Sequence, residues 1–308
     1  MRGNSSAIDD RPVSPLSNGT LVAALGVVGF SLSFPATVWA LDGFGPWSSA
    51  GVRGVLAAAL ALTALVATRS PLPARADWPA LAVVAGGCVV GFPLLTTLAL
   101  TTSSTAHSAV VIGALPMATA VFAAVRTRRH PSPVFWAAAG VGAITVVAFT
   151  LGQNQGRPTA ADLFLFAALL LCAAGYAEGG RLAAHVPGWR VIAWAIVLAA
   201  PVNLAVSAWA LSEEPLALTA KALAGMAYIA AISQFGGFVL WYRGMGLIGV
   251  AKASQLQLAQ PLLTLVWAVL LLGERLDPAV PLTAAVVLAC IAVTQRSRAP
   301  QPSKRTTG

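Results

Sequence analysis

Three glutamines stand in an otherwise apolar stretch, AKASQLQLAQPLL at residues 251–263. Side chains spaced i, i+3, i+7 and i+10 share one face of a helix, and this face carries Ser254, Gln257, Pro261 and Thr264. Gln260 lies beside that face, whereas Gln255 points elsewhere. Unpaired amides in hydrocarbon cost on the order of several kcal/mol each, so the face must meet a wet cavity or partner side chains. It either binds neighbouring helices or lines a solute cavity.

Two prolines are predicted to kink their helices. Pro261 removes the usual donor to the carbonyl of Gln257, which adds backbone polarity to the same face. Pro116 occupies the corresponding place in an earlier apolar run. There the positions that match the polar face are the apolar Ala109 and Ile112. A polar helix face is therefore expected only in the later apolar run.

Further polar and aromatic residues are expected around the same cavity. The predicted polar partners of the glutamine face are Ser33, Ser233 and Gln234. Trp39, Trp241 and Tyr242 either stack on a ring-bearing solute or anchor helix ends at the membrane interface.

Ionisable groups inside apolar runs are candidates for ion coupling. Glu178 either forms a simple ion pair with Arg181 at i+3, or it is a protonatable coupling group or a partner for a cationic solute. His107 either lies at the surface in a polar loop or titrates as part of coupling. Arg53 is expected to snorkel toward the membrane surface.

Catalysis is not expected from this sequence. The three histidines, His107, His130 and His185, are scattered, and no aspartate cluster or nucleotide-binding loop is present. Cys88, Cys172 and Cys290 stand alone in apolar runs without ligand-like spacing. We therefore predict no enzyme, no catalytic residue, no metal site and no cofactor.

The elements that must position these residues are transmembrane helices. Hydrophobic residues make up 57% of the 308-residue chain and charged residues only 9%, a composition that excludes an ordinary soluble domain. Apolar runs predict ten spans, at 20–41, 50–68, 79–100, 105–125, 134–151, 161–182, 190–211, 220–242, 250–272 and 279–295. Lipid requires each backbone amide to bond within its own segment, so the fold class is an all-α integral membrane protein.

Charge predicts the orientation. With both termini cytoplasmic, all but four of the 19 Lys and Arg residues fall on the inner side. The same bias accounts for the net charge of +9 without nucleic acid, because basic residues face anionic lipid. We expect a multi-pass protein of the plasma membrane, with cytoplasmic tails at 1–19 and 297–308.

The two halves of the chain are related. A shift of 145 positions aligns Pro116 with Pro261 and Pro133 with Pro278. Repeats at 20–152 and 160–296 then hold five helices each, and an odd number requires the second repeat to enter from the opposite face. The sequence therefore predicts ten helices as two inverted five-helix repeats.

Residues 238–293 resemble the last three helices of the drug/metabolite transporter superfamily, in its ten-helix EamA-type branch. The matching features are Trp241 and Tyr242, the small residues from Ala251 to Ser254, Pro261, Gly273 with Glu274, and Pro278. The resemblance implies a secondary transporter of small organic solutes, which are often exported. The inverted repeat is suited to alternating access, and without a nucleotide-binding loop we do not expect ATP to be the direct energy source. The expected partners are this solute, membrane lipid and a coupling proton.

A non-transporting membrane scaffold or regulatory protein is the alternative to a transporter. The solute, the direction of transport, the energy coupling and the oligomeric state stay open at this stage.

Overall fold

The computed structural model describes residues 18–128, 131–153, 156–248 and 256–296. All regular secondary structure in these residues is helical. Eight helices are long and apolar enough to cross a membrane: α1 (Asn18–Leu41), α2 (Pro46–Ala67), α3 (Arg75–Leu100), α4 (Thr105–Arg126), α5 (Pro133–Gln153), α6 (Ala160–Leu182), α7 (Gly188–Glu213) and α8 (Ala220–Gly244). Two shorter apolar helices follow, α9 (Ala259–Leu272) and α10 (Ala279–Arg296). The start predicted for the ninth span, the C-terminal tail and all but the last two residues of the N-terminal tail lie outside the described residues.

Local sequence determines where several helices begin. Ser104 accepts a hydrogen bond from the amide of His107 and caps α4, and Thr219 caps α8 in the same way. Thr159 and Asp162 form a reciprocal capping box at the start of α6. Pro46 opens α2 at a position where its missing N–H has no helical partner to lose.

The helices pack as a bundle with two distinct ends. Helix pairs in contact include α2–α7, α1–α8, α5–α10, α3–α6, α4–α6 and α4–α9. One end holds Glu274, Glu214 and the Asp42–Lys221 ion pair, and is called the Glu274 end here. The opposite end holds Glu178 and the pair His185–Asp77, and is called the Glu178 end. Buried apolar side chains between these helices form the core.

Several helices depart from regular α geometry at mid-length. The α-helical pattern is interrupted at Leu32 in α1 and at Ala114 in α4, and a turn at Leu258 precedes α9. Ala85–Gly91 in α3 and Ile229–Gly236 in α8 are π-helical. Such wide turns are frequent at functional sites because they change the direction of side chains.

Small residues let α3 and α6 cross closely. A Cβ added at Gly87 would collide with the backbone carbonyl of Leu171, and one at Gly175 would collide with Sγ of Cys88. Packing of this kind stabilises helix pairs in lipid, where the hydrophobic effect between helices is absent. Neighbouring Gly86 is exposed and has open space around it.

We expect Gly87→Ala to destabilise the protein by about 1–3 kcal/mol, because the Leu171 backbone must move to admit the methyl group. Thermal unfolding of the detergent-purified protein measures the change. The matched control Gly86→Ala should leave the melting temperature unchanged or raise it, because alanine favours a helix over glycine. Equal melting temperatures for the two variants would contradict the close crossing.

Candidate functional site

A cavity with polar, aromatic and aliphatic walls lies between seven helices of the bundle. Its volume is about 90 Å³, which suits a compact organic solute or several waters. Helices α1, α2, α3, α4, α6, α8 and α9 contribute lining side chains. The polar ones are Ser33, Arg53, Ser233, Gln234, Gln257, Gln260 and Thr264. The aromatic ones are Phe30, Phe34, Phe92, Tyr176 and Phe238.

Arg53 lies inside this cavity, so the expectation that it snorkels is wrong. Its side chain belongs to α2 and only 5% of the residue surface is exposed. Nη2 donates a hydrogen bond to Oγ of Ser233 at 3.1 Å. The predicted second span begins at residue 50, whereas α2 begins at Pro46. Arg53 is therefore deeper in the helix than the hydropathy pattern indicates.

Two of the predicted polar residues are joined directly. Ser33 Oγ follows the break in α1 and donates to Ser233 Oγ at 2.7 Å. Gln234 Nε2 donates to the carbonyl of Val89 at 3.3 Å, which ties the π-helical segment of α8 to that of α3. Ser33, Ser233 and Gln234 thus lie together at the cavity with Arg53.

The glutamine face of α9 meets the same cavity from another side. Gln257 and Gln260 are half-buried and line it, as does Pro261. Thr264 Oγ1 donates to the carbonyl of Ser31 at 2.9 Å, which fastens α9 to the turn where α1 is interrupted. Ser254 and Gln255 lie outside the described residues.

The two prolines follow the interruptions of their helices. Pro116 comes two residues after Ala114, and Pro261 three residues after Leu258. The Cβ of Pro261 is 3.5 Å from the place where Gly113 would carry its own Cβ. Helices α4 and α9 therefore meet at their irregular turns, beside the cavity.

The predicted aromatic residues lie outside the cavity lining. Trp241 is 8% exposed and packs with Ala23, Val27 and Phe30 between α1 and α8. Trp39 packs against α8 at Gly225. Tyr242 lies against Gly188, at the start of α7. The side chains that wall the cavity are the phenylalanines and Tyr176, which sequence reasoning did not single out.

The two coupling candidates lie at opposite ends of the bundle. Glu178 accepts hydrogen bonds from Nε of Arg126 at 2.7 Å and from Nε of Arg181 at 2.8 Å. Arg126, on α4, is a partner that the i+3 pattern does not reveal. Glu178 does not line the cavity. Its ion pair with Arg126 ties α4 to α6, whereas its pair with Arg181 lies within α6.

His107 pairs with Asp162 at the Glu274 end. The distance from His107 Nε2 to Asp162 Oδ1 is 2.8 Å, and the imidazole ring stacks on Phe149. The side chains of His107 and Asp162 are 12% and 1% exposed, so the expectation of a surface position for His107 is wrong. Nothing in the local sequence predicts the pair, because Asp162 is 55 positions away.

Two carboxylates close helix starts across the two halves of the chain. Glu274 accepts hydrogen bonds from the amides of Thr105 and Ala106, the first residues of α4, at 2.7 and 2.9 Å. Glu214 accepts from Trp47 and Ser48 at the start of α2, at 3.1 and 2.7 Å. A carboxylate at a helix N-terminus satisfies free amides and interacts favourably with the helix dipole.

Membrane-length apolar helices around a polar cavity define a multi-pass membrane protein. The model of the EamA-like transporter family matches this chain twice, at residues 17–151 and 159–295. The chain is 39% identical over 280 residues to the uncharacterized transporter YdeK of Bacillus subtilis (strain 168), which covers 91% of this chain and 98% of that protein. The chain therefore belongs to the EamA-like transporter family, part of the drug/metabolite transporter superfamily, and is a membrane transporter.

The fold also resembles a solved structure described as "Crystal structure of protein". The TM-score is 0.61 at 18% sequence identity, over 90% of this chain and 96% of the other. At this identity the likeness concerns the fold alone.

We expect Glu274→Gln to destabilise the protein by about 1–2 kcal/mol, because the amide loses the charge and one acceptor at the start of α4. Thermal unfolding in detergent measures the loss. Glu213, an exposed carboxylate at the same end, provides the matched control: Glu213→Gln should change stability by less than about 0.5 kcal/mol. If both variants have the melting temperature of the parent protein, the Glu274 cap contributes nothing to stability.

Proposed function

We propose that this protein is a secondary transporter of a small organic solute, an exporter of the cytoplasmic membrane that works by alternating access. The observation that carries the proposal is the central cavity. Its lining comes from α1 to α4 in the first half of the chain and from α6, α8 and α9 in the second half. Relative movement of the two halves would therefore change access to any bound solute.

The proposed halves are two inverted five-helix repeats, and the packing pattern supports this arrangement. An inverted repeat relates each of helices α1 to α5 to the helix five later in the chain. When related helices are exchanged, contact α1–α8 becomes α6–α3, α1–α9 becomes α6–α4, and α2–α8 becomes α7–α3. All of these contacts occur, and α2–α7, α4–α9 and α5–α10 convert into themselves. Two related units around a twofold axis produce this reciprocity.

The irregular turns support the same repeat. Ala85–Gly91 and Ile229–Gly236 are both π-helical, and the second lies 144 or 145 positions after the first. The interruptions at Ala114 and Leu258 are related by 144 positions. Departures from α geometry at matching places are stronger support for a duplication than matches between alanines or leucines, which an apolar composition produces freely.

The Glu178 end is the proposed cytoplasmic end, with both chain termini on that side. Arg126 and Arg181 lie there, and the basic residues of multi-pass proteins accumulate on the cytoplasmic side. A proton is the proposed coupling ion, with His107 and Glu178 as the candidate carriers.

Flux into reconstituted vesicles tests the proposal, with a radiolabelled panel of anionic, zwitterionic, neutral and cationic metabolites, with and without a pH gradient. We expect accelerated flux of at least one solute and a response to the gradient. Gly113→Leu should abolish that flux, because Gly113 lines the cavity and the added side chain fills it. Gly140→Leu on α5, with open space around it, should leave flux unchanged.

A folded, monodisperse protein that accelerates no solute in the panel would contradict a transporter of these solutes and favour the scaffold alternative. Equal flux with and without the pH gradient would contradict proton coupling. Equal flux in Gly113→Leu and in the parent protein would remove the cavity from the transport route.

A further inference from the structure

The guanidinium of Arg53 is a buried cation with unused hydrogen-bond donors. A guanidinium carries five N–H donors, and its one hydrogen bond among the described residues runs from Nη2 to Ser233. Nε is buried and has no partner among the described residues. A buried charge without a counter-ion is costly, and intramembrane charges of this kind mark pathways of substrates or ions.

Carboxylates lie elsewhere in the bundle. The cavity lining, within the described residues, contains no acidic side chain. Glu178 pairs with arginines, Asp162 with His107, Asp77 with His185, and Glu214 and Glu274 with helix starts. Asp42, Glu213 and Asp277 are exposed at the Glu274 end, and the remaining acids, Asp9 and Asp10, belong to the N-terminal tail. The side chains that the structure describes therefore give the cavity a net positive charge.

Ser233 extends the donor set beside Arg53. Its Oγ accepts from Arg53 Nη2 and from Ser33 Oγ, so both of its lone pairs are occupied. Toward a further ligand, the hydroxyl of Ser233 can then act only as a hydrogen-bond donor. A guanidinium with free N–H groups next to a donating hydroxyl is complementary to a carboxylate, which accepts at both oxygens.

Another part of the lining is suited to an apolar body. Phe30, Phe34, Phe92, Phe238 and Tyr176 supply ring surface, and Ala109, Ile112 and Leu115 supply aliphatic surface. A single cation balances a single negative charge. Among the described residues, the cavity lining contains no acidic group that could receive an ammonium group, which disfavours cationic solutes.

We propose that the cavity binds a small organic monoanion, whose carboxylate is held by Arg53 and Ser233 and whose apolar body lies against the aromatic walls. This inference rests on the proposed transport function, because it assigns the substrate class of the same cavity. It names a specificity-determining residue, Arg53, that the polar face of α9 does not include.

Binding of three probes with a common benzyl group tests the proposal on the detergent-purified full chain. Phenylacetate is an anion, phenylacetamide is neutral and phenethylamine is a cation at pH 7. A ligand that binds only the folded state raises the melting temperature by mass action, so a titration of the shift yields apparent affinities. We expect phenylacetate to bind at least about tenfold tighter than phenylacetamide, because hydrogen bonds to charged groups are the stronger kind. Phenethylamine should bind more weakly than either.

Variants of Arg53 assign the preference to its guanidinium. Arg53→Met should abolish the preference for phenylacetate over phenylacetamide, and Arg53→Lys should reduce it, because an ammonium keeps the charge and lacks the planar fork. The matched control Arg275→Met removes an exposed arginine at the Glu274 end and should keep the full preference. Equal binding of anion and amide to the parent protein, or a preference retained in Arg53→Met, would overturn the proposal.

Stability without ligand separates a binding role from a structural one. Removal of an unpaired buried charge should leave the melting temperature of Arg53→Met at or above that of the parent protein. A variant that fails to fold would make Arg53 a structural tie and overturn the proposal.

Vesicle flux distinguishes this inference from the function on which it rests. Flux of neutral or cationic solutes alone would contradict the anion site and leave transport in place. Arg53-dependent binding of phenylacetate without any flux would support the anion site and contradict transport.

Discussion

The burial of one guanidinium constrains the rest of this structure. Hydrocarbon cannot solvate a charge, so an arginine within a membrane-length helix has to face protein or water. Arg53 does so by facing a cavity with hydroxyl and carboxamide side chains from α1, α8 and α9. The seven helices around it present their apolar sides outward and their few polar groups inward. The arrangement therefore has two consequences: it shields the charge from lipid, and it creates a compartment of solute size.

Irregular helical turns make that compartment possible. The interrupted turns of α1 and α4, the turn that precedes α9, and the π-helical segments of α3 and α8 all bear residues of the cavity lining. Regular helices would bond their carbonyls internally and pack side chains into a closed core. Here Gln234 binds a carbonyl of α3, and Thr264 binds one of α1. Polar groups in the middle of the bundle are thus paired across helices and not only within them.

Much of the fold follows from sequence because lipid imposes strong rules on it. Apolar runs indicate the helices, and Pro116 and Pro261 indicate where α4 and α9 depart from regular geometry. The glutamine face of α9 also indicates a polar interior. The depth of a polar side chain in the bundle and the identity of its partner do not follow from sequence in the same way. Sequence places Arg53 near the membrane surface because the apolar run begins four residues after the start of α2. It places His107 in a surface loop because its partner, Asp162, is distant in sequence. The caps by Glu214 and Glu274 join residues more than 160 positions apart, which no local pattern reveals.

The electrostatic character of the cavity can be measured with the native thiols. Cys88 and Cys172 line it, so a Cys290→Ala background leaves two reporters inside the cavity. The rates of their modification by anionic sulfonatoethyl and cationic trimethylammonioethyl methanethiosulfonate, each normalised to a free thiol in solution, compare anion with cation access. The anion-binding cavity predicts that the anionic reagent reacts about tenfold faster or more, and that Arg53→Met removes this difference. Faster reaction of the cationic reagent, or a ratio that does not depend on Arg53, would contradict it.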